Sequence, residues 1–587
     1  MSKFNKQPQS LRGQLEEWQN EQTEDAGSQE NVIEWPAPDT LNKEDAPAYK
    51  YSERLNLTTR ALTSLMSENR FYESAEESDN ELLRSFEEVL KEDPEYAKGL
   101  VLALRQDFHL RSVTHVLVTE LAHRQIPETA DIIEAICERP DDMKEILAYY
   151  TKKYGDKKLP NSIKKGLGKA FAKFNEYQLS KYDQKGTVWL RDILRISHPK
   201  PADQQQAELW KKVVKDELAP AETWEHKISS EGSTTENWAE LVADNKLGYM
   251  ALLRNLRNLL KKDVPMEIID QVCAKLTDPE QVKRSKQLPF RFFSAYKSLK
   301  EEPGKRRGRR GGRLAWFYDE SDDNIGNLKE DKKAENDSNA CKVEKILEAL
   351  EKAAKLSTVN MPKLKGTSVI ACDVSGSMET PISEKSSVAR FDIGLVMGAL
   401  ANGFSDKDIT GIFGDTWKEI ELDSNKPLTS TWEMHRREGE VGYSTHGFEV
   451  IKSLLETRRK VDRILFFTDC QMYGNDFAKV EDENTWQHQD EKCPETGKSF
   501  GDFIREYRKE INKDLKLYFF DLAGYGNCLI PEQDPQTIIV GGWSEKLFDI
   551  IPTFEGGGKA ANALEKRIRD KYEEFKNRKE SKVKKAA

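Results

Sequence analysis

What this sequence lacks narrows it quickly. No uncharged apolar run approaches the roughly 18 residues of a membrane span, and the stretch Ile393–Ser405 is too short. The first residues, MSKFNKQPQSLRGQLEEW, have no apolar core of the kind a secretory signal carries. The seven cysteines (137, 273, 341, 372, 470, 493 and 528) are scattered, odd in number and without a CxxC pair. That argues against a disulfide framework and against a structural zinc site, and the expected compartment is a reducing cytoplasm. The eight histidines form no HExxH, and no GxxxxGK[ST] phosphate loop is present, so neither a zinc hydrolase nor a P-loop ATPase is expected. Positive charge is not in excess either. Lys and Arg number 92 against 102 Asp and Glu, a net charge of −10. A uniformly basic nucleic-acid binder is excluded, while a local basic face is not.

What is there divides into blocks. The 587 residues leave room for about three or four units. Residues 1–44 are polar and acidic and read as an extended or disordered arm, which Trp18 and Trp35 could dock onto the body. From about 51 to 300, segments such as ELLRSFEEVLK (81–91) and VTHVLVTELAH (113–123) place apolar residues at i, i+3, i+4 and i+7. Breakers such as Asp93-Pro94 and Arg139-Pro140 separate them, so paired helices stacked as a solenoid are expected. Residues 303–340 open with six basic residues between Lys305 and Arg313, then turn acidic, and read as a mobile surface loop before a last helix at 342–355. The Arg-Gly run could be a flexible contact for a polyanion or a solubilising loop. From Gly366 the period changes. TSVIACDVS, ITGIFGD, RILFFTD, LKLYFFDL and TIIVGG read as strands, with helical segments between them. Alternating strands and helices predict a doubly wound α/β sheet, here interrupted by a polar insert at 475–500 and followed by a Lys-rich helical tail at 558–587.

Two constellations carry chemistry. The first is Asp373-Val-Ser375-Gly-Ser377, directly after a buried strand. One carboxylate and two hydroxyls at a strand end suit a hard divalent cation, with Gly376 expected to permit the turn. A plain helix N-cap explains the same residues. Ser444 and Thr445 in a Gly-containing loop, and Asp469 ending RILFFTD, favour the cation. The second is the span 151–200, where thirteen Lys and Arg meet four Asp and Glu. Lys165, Lys169 and Lys173 are four apart and so share a helix face. Lys181, Lys185, Arg191, Arg195 and His198 continue the basic character. A cationic stripe suits a phosphate backbone; a solvated charged face or, for His198, a helix cap are the plainer explanations.

Resemblance adds to both. DxSxS, then a loop Thr, then a strand-terminal TD is similar to the metal-ion-dependent adhesion site of von Willebrand factor A domains. It implies that Asp373, Ser375, Ser377, Thr445 and Asp469 gather around one divalent metal, Mg²⁺ first by the donor set, although His446 stands where relatives often have Asp. The run PNSIKKGLGKAFAKFNEYQLSKYDQKGTVWLRDILRISHPKP, with LGYMALLRNLRNLLKKDV, DAPAYKYSERLNL, NRFYES and LPFRFFSAYKSL, resembles the TROVE module of the Ro ribonucleoprotein family. The resemblance implies a multidomain chain: a ring of HEAT-like helical repeats (45–360) carrying a von Willebrand factor A domain (361–557). It implies binding of small noncoding Y-like RNA on the outer basic surface, through Lys165, Lys169, Lys173, Lys181, Lys185, Arg191, Arg195 and His198. It further implies that misfolded or single-stranded RNA enters a central hole, that an exoribonuclease is a possible partner, and that no membrane is involved. A metal-dependent nuclease is disfavoured, because Asp373 and Asp469 are the only carboxylates at the expected site and two-metal chemistry needs more charge. A protein scaffold using the metal site is the alternative.

Overall fold

In a computed structural model, residues 35–300 and 330–586 are described, apart from 65, 156–157, 184–185, 288, 385, 435–437, 474–476, 480–485, 489–492, 494, 543–549 and 556–561. Trp18, Lys185 and the Arg-Gly run 305–313 lie outside the described residues.

The helices start where local chemistry allows. Ser74 and Glu77 form a reciprocal capping box for Ala75–Glu92. Asp93 caps Pro94–Gln106 through the Tyr96 N–H, and Pro94 occupies the first turn, where a missing N–H costs nothing. Asp278 and Pro279 repeat that arrangement before Pro279–Ser285. From Glu53 to Lys300 the chain is a succession of such helices, and their apolar faces merge into one continuous core running into the C-terminal unit.

The C-terminal unit is built on a six-stranded sheet. Its strands are β3 (Leu364–Asp373), β4 (Ser405–Phe413), β5 (Trp417–Glu419), β6 (Arg463–Thr468), β9 (Lys516–Asp521) and β11 (Thr537–Gly541), in the order β11-β9-β6-β3-β4-β5. All neighbours are parallel except β5, an antiparallel edge strand absent from the sequence reading. Strands β3 and β6 are buried on both faces, as a sheet covered by helices requires. Inside the insert, β7 (Phe477–Lys479) pairs with β8 (Trp486–His488). This is the two-part architecture the sequence predicts.

Both ends of the helical array meet the α/β unit, so the chain closes on itself. At the first seam, β2 (Pro47–Lys50) pairs with β1 (Thr40–Leu41) on one side and with β10 (Asn527–Cys528) on the other. The Tyr51 hydroxyl donates to Asp521 at 3.1 Å, and Arg70 donates to the Ala523 and Gly524 carbonyls. At the second seam, Lys297 pairs with Asp392 at 3.2 Å, and Glu351 accepts from the Leu428 and Thr429 N–H groups, both at 2.8 Å.

One reading needs correcting, the extent of the last helix before the sheet, while the docking of Trp35 and the helical tail are as expected. The arm is docked from Trp35 onward, with the Trp35 ring against Gly501 and 8% exposed. The helix expected at 342–355 runs over Glu330–Ser357, so it takes in the end of the segment read as a loop, whose residues 303–329 lie outside the described ones. The Lys-rich tail is a helix, Asn562–Ala586, laid along Pro94–Gln106. Gly99 makes that approach possible, since a Cβ there would stand 2.5 Å from the Ile568 carbonyl oxygen. Among the described residues, no helix is long and apolar enough to cross a membrane.

Candidate functional site

The carboxylate pocket follows from the sheet. Chain order reverses direction between β3 and β6, and open α/β sheets place ligands beyond the carboxyl ends of strands at such a point. Asp373 is the last residue of β3, Asp469 follows β6, and Asp521 ends β9. Three neighbouring strands thus each deliver an acid to one edge.

The geometry there is tight. Asp373 Oδ1 accepts from the Ser375 N–H at 2.9 Å, and Oδ2 accepts from the Thr468 hydroxyl at 2.6 Å. The Ser375 and Ser377 hydroxyls are 3.5 Å apart. Gly376 donates to the Tyr443 carbonyl and Tyr473 donates to the Thr445 carbonyl, each at 3.2 Å, which folds the 443–446 loop over the pocket. All five sequence-predicted ligands are buried, the most exposed at 4%. Gly376 itself does not need to be glycine: its φ is not left-handed and an added Cβ meets nothing. His446 turns away, its Nδ1 3.0 Å from the Asp415 carbonyl and its ring stacked on Phe448.

The electrostatics leave this pocket short of positive charge. Burial, and then repulsion from Asp469, push the Asp373 carboxyl up to about 7. Burial also raises Asp469, opposed by Arg390, whose guanidinium is 3.9 Å from Oδ2. That Oδ2 is buried with no hydrogen-bond partner. Burial pushes Asp521 up to about 6 against the pull of the Gly524 and Ala523 N–H groups. Two buried carboxylates, neighbouring hydroxyls and one orphaned carboxylate oxygen fit a hard divalent cation. Among the described residues, no group of three or more His, Cys, Asp and Glu is placed to hold a metal ion, so a cation here would rest on two carboxylates and the hydroxyls.

Sequence reasoning missed the residues around this pocket. Thr468 holds Asp373. Tyr72 lies above it, with burial and then the charge of Asp469 raising its phenol, and its hydroxyl bonded to Glu44 and beside Ser377. Asp521 carried a usable signal, since LKLYFFD repeats the apolar-run-then-Asp pattern of the other two strands. Tyr72 and Glu44 carried none.

The basic residues fall on one stretch of the array. Lys165 and Lys169 lie on the outer side of the helix Asn161–Phe171, exposed, and Lys173 follows just past its end. Arg191 and Arg195 belong to the helix Leu190–Ser197, which packs against it, with Ser197 and Pro199 close to Gly168. His198 ends that helix in the left-handed conformation, its N–H bonded to the Leu194 carbonyl, while its ring stays exposed. It therefore caps with its backbone and remains available with its side chain.

The charges differ in how far they are already satisfied. Lys169 pairs with Asp131, and Lys173 donates to the Glu134 carbonyl. Arg191 stacks on Trp189 at 4.4 Å, and Lys181 lies 5.7 Å from the Tyr182 ring centre. Lys165 and Arg195 have no ion pair or hydrogen bond from their side chains among the described residues. Tyr177 is 51% exposed nearby in sequence, on the helix Glu176–Tyr182.

Comparison with known proteins bears on this geometry. The family model described as the TROVE domain matches residues 50–220 and 212–366, more than half of the chain. Telomerase protein component 1 of Rattus norvegicus and that of Mus musculus are each 23% identical in an alignment covering 35% of this chain. The alignment spans 11% of the length of those relatives. The crystal structure of the Deinococcus radiodurans Ro (RSR) protein aligns with a TM-score of 0.53 at 16% identity, covering 89% of this chain and 100% of that one. At that identity the likeness is one of fold.

Proposed function

Since the chain belongs to the TROVE-domain family, whose members generally bind RNA and are generally not catalysts, we propose that it is a non-catalytic RNA-binding protein of RNA quality control or processing. A small structured, Y-like RNA would lie on the outer face formed by Lys165, Arg191, Arg195 and His198. Misfolded or single-stranded RNA ends would enter the ring, and an exoribonuclease would be the protein partner. The observation that carries this reading is the exposure of Lys165 and Arg195 without an opposing charge among the described residues, on two helices packed together. Such cations release counterions from a phosphate backbone, a salt-dependent and largely sequence-independent term. Exposed Tyr177 adds a flat face on which an unpaired base can stack.

Filter binding of a structured small RNA across a salt series tests it. Lys165→Glu with Arg195→Glu should weaken binding about tenfold or more and lower the log–log salt slope by about 2. Lys169→Glu should do less, because Asp131 already answers that lysine. An unchanged affinity and slope for the double variant would remove this face from the RNA surface.

The carboxylate pocket is assigned in the same reading to a divalent cation, Mg²⁺ first, held by Asp373, Ser375, Ser377, Thr445 and Asp469. The cation would supply positive charge between the two strand-end carboxylates. Asp373→Ala should abolish divalent binding in calorimetry and leave RNA affinity within about twofold. A collapse of RNA affinity with the fold intact would place the pocket within the RNA surface. The scaffold alternative has less support, since a site that grips a partner's carboxylate has to be open and this one is covered by Tyr72 and Glu44.

A further inference from the structure

The helix Asn562–Ala586 changes character along its length. Its first fourteen residues, NALEKRIRDKYEEF, hold four basic and four acidic side chains. This half packs on Pro94–Gln106, and its cations are answered there: Arg569 by Asp93, and Arg567 and Lys571 by Asp107. From Lys576 onward, KNRKESKVKKAA holds six basic residues and one acid. The packing of the first half fixes where this cationic end lies. Ile568 rests against Gly99, and the Tyr572 hydroxyl donates to Glu128. Lys579, about two turns further on, pairs with Glu128 at 3.2 Å and with Asp131 at 2.9 Å. The other oxygen of Asp131 takes Lys169, one turn from Lys165, at 2.5 Å. The tail helix and the basic helix Asn161–Phe171 therefore meet on one carboxylate.

That carboxylate is outnumbered. Burial alone would raise it, but Lys169 and Lys579 together hold it below its ordinary value, so one charged acid faces two ammonium groups. From this junction the basic helix runs one turn back to Lys165, about 6 Å, and the tail helix runs five residues on to Lys584, about 7.5 Å. Lys165 and Lys584 are both exposed, and neither side chain has an ion pair or hydrogen bond among the described residues. On a chain of net charge −10, a strip of this kind is where a polyanion meets attraction instead of repulsion.

Building on the reading of Lys165 and Arg195 as an RNA face, we propose that the last turns of Asn562–Ala586 belong to the same binding surface. A phosphate backbone that crosses Lys165 continues over the Asp131 junction and onto Lys584, so the tail helix forms a second wall of the site. The occupant is a ribonucleotide backbone and not a lipid surface. A helix that lies in a membrane boundary needs an apolar face to bury there, and KNRKESKVKK offers Val583 alone. The contacts are with phosphates, so they add affinity and salt dependence without sequence preference.

The test uses the full chain, with an RNA hairpin bearing a single-stranded tail as the probe, in filter binding across a salt series. Wild type, Lys584→Glu, Lys584→Gln and the double variant Lys165→Glu with Arg195→Glu are compared. Lys584→Glu should weaken binding roughly threefold to tenfold and lower the log–log salt slope by about 1. Lys584→Gln, which keeps helix propensity, should lower the slope equally and the affinity less. Acetylation of lysines by an N-hydroxysuccinimide ester, read by mass spectrometry, gives a second measure. The hairpin should protect Lys165 and Lys584 together and leave Lys407, exposed on the α/β unit, reactive. Either wild-type affinity and slope in both Lys584 variants, or undiminished reaction of Lys584 in the presence of the hairpin, overturns the proposal; weakened binding by the double variant then leaves the RNA face standing. Wild-type binding by every variant overturns the face and this proposal together. Protection of Lys584 by phosphatidylserine vesicles and not by the hairpin assigns the strip to a membrane surface and overturns the proposal as well.

Discussion

Lys165 and Arg195 stand in water with no opposing charge among the described residues; Asp373 and Asp469 stand out of water, with the Arg390 guanidinium 3.9 Å from Asp469 and no cation paired with Asp373 among the described residues. The chemistry of the two places is the same lack of a counter-charge, and burial makes the difference. Water screens the exposed lysine, so its free charge costs little and stays available to a polyanion. Nothing screens the pocket acids, so they either hold protons or hold a cation. A third place supplies the contrast to both. Asp142 is fully buried and fully answered, by Arg105 at 3.0 Å, Arg111 at 2.8 Å and His115 at 3.1 Å. Burial alone would raise its carboxyl, but those partners hold it well below the usual carboxylate range.

The comparison breaks most visibly at Asp142. Asp142→Ala takes the buried acid from Arg105, Arg111 and His115, leaving the two guanidinium groups only the more exposed Glu138 and Asp141, and should cost about 3 kcal/mol in chemical denaturation. A loss below about 1 kcal/mol would mean that water reaches the cluster and that burial does not set the cost. The pocket comes next. The folded-state carboxyl of Asp373 is raised to about 7, above its ordinary value near 3.9, so its contribution to stability is present at low pH and lost as pH rises through about 7. The metal-free chain should therefore be weakened by this group between about pH 4 and 7. Millimolar Mg²⁺ should raise the melting temperature more at pH 8 than at pH 5.5, by an amount worth about 2.7 kcal/mol at a hundredfold excess over Kd. Equal gains at both pH values would show that no proton competes with the ion. The smallest effect belongs to the exposed face. Lys165→Glu with Arg195→Glu should shift the denaturation midpoint by no more than about 0.5 kcal/mol, whatever it does to RNA binding.

How much of this was legible in the sequence depended on range. The helices of the array and strands β3, β4, β6, β9 and β11 announce themselves through periodicity and apolar runs within a few residues. The three residues of β5 and the two of β1 carry no such pattern, and β10 is a strand only because β2 comes to it from almost five hundred residues away. The pocket divides along the same line. Asp373, Ser375 and Ser377 are neighbours in the chain, Thr445 sits in a Gly-containing loop, and Asp469 follows a recognisable strand. Tyr72 and Glu44 reach the pocket only because the array closes on the α/β unit, and no local pattern encodes a closure. On the basic face, helical spacing placed Lys165 and Lys169 correctly, while the partners that satisfy Lys169 and Lys173 come from the preceding helix layer at Asp131 and Glu134.

The helix Asn562–Ala586 bears on how the molecule is made. It is synthesised after the helical array and the sheet, and it lies along Pro94–Gln106, made hundreds of residues earlier. Arg569 meets Asp93 at 2.6 Å and Lys571 meets Asp107 at 2.7 Å, with Ile568 and Tyr572 buried between them. Until this helix emerges, the flank that receives it stays wet and Asp93 and Asp107 lack these partners. The nascent chain thus carries an unfinished edge until these helical turns emerge to complete it.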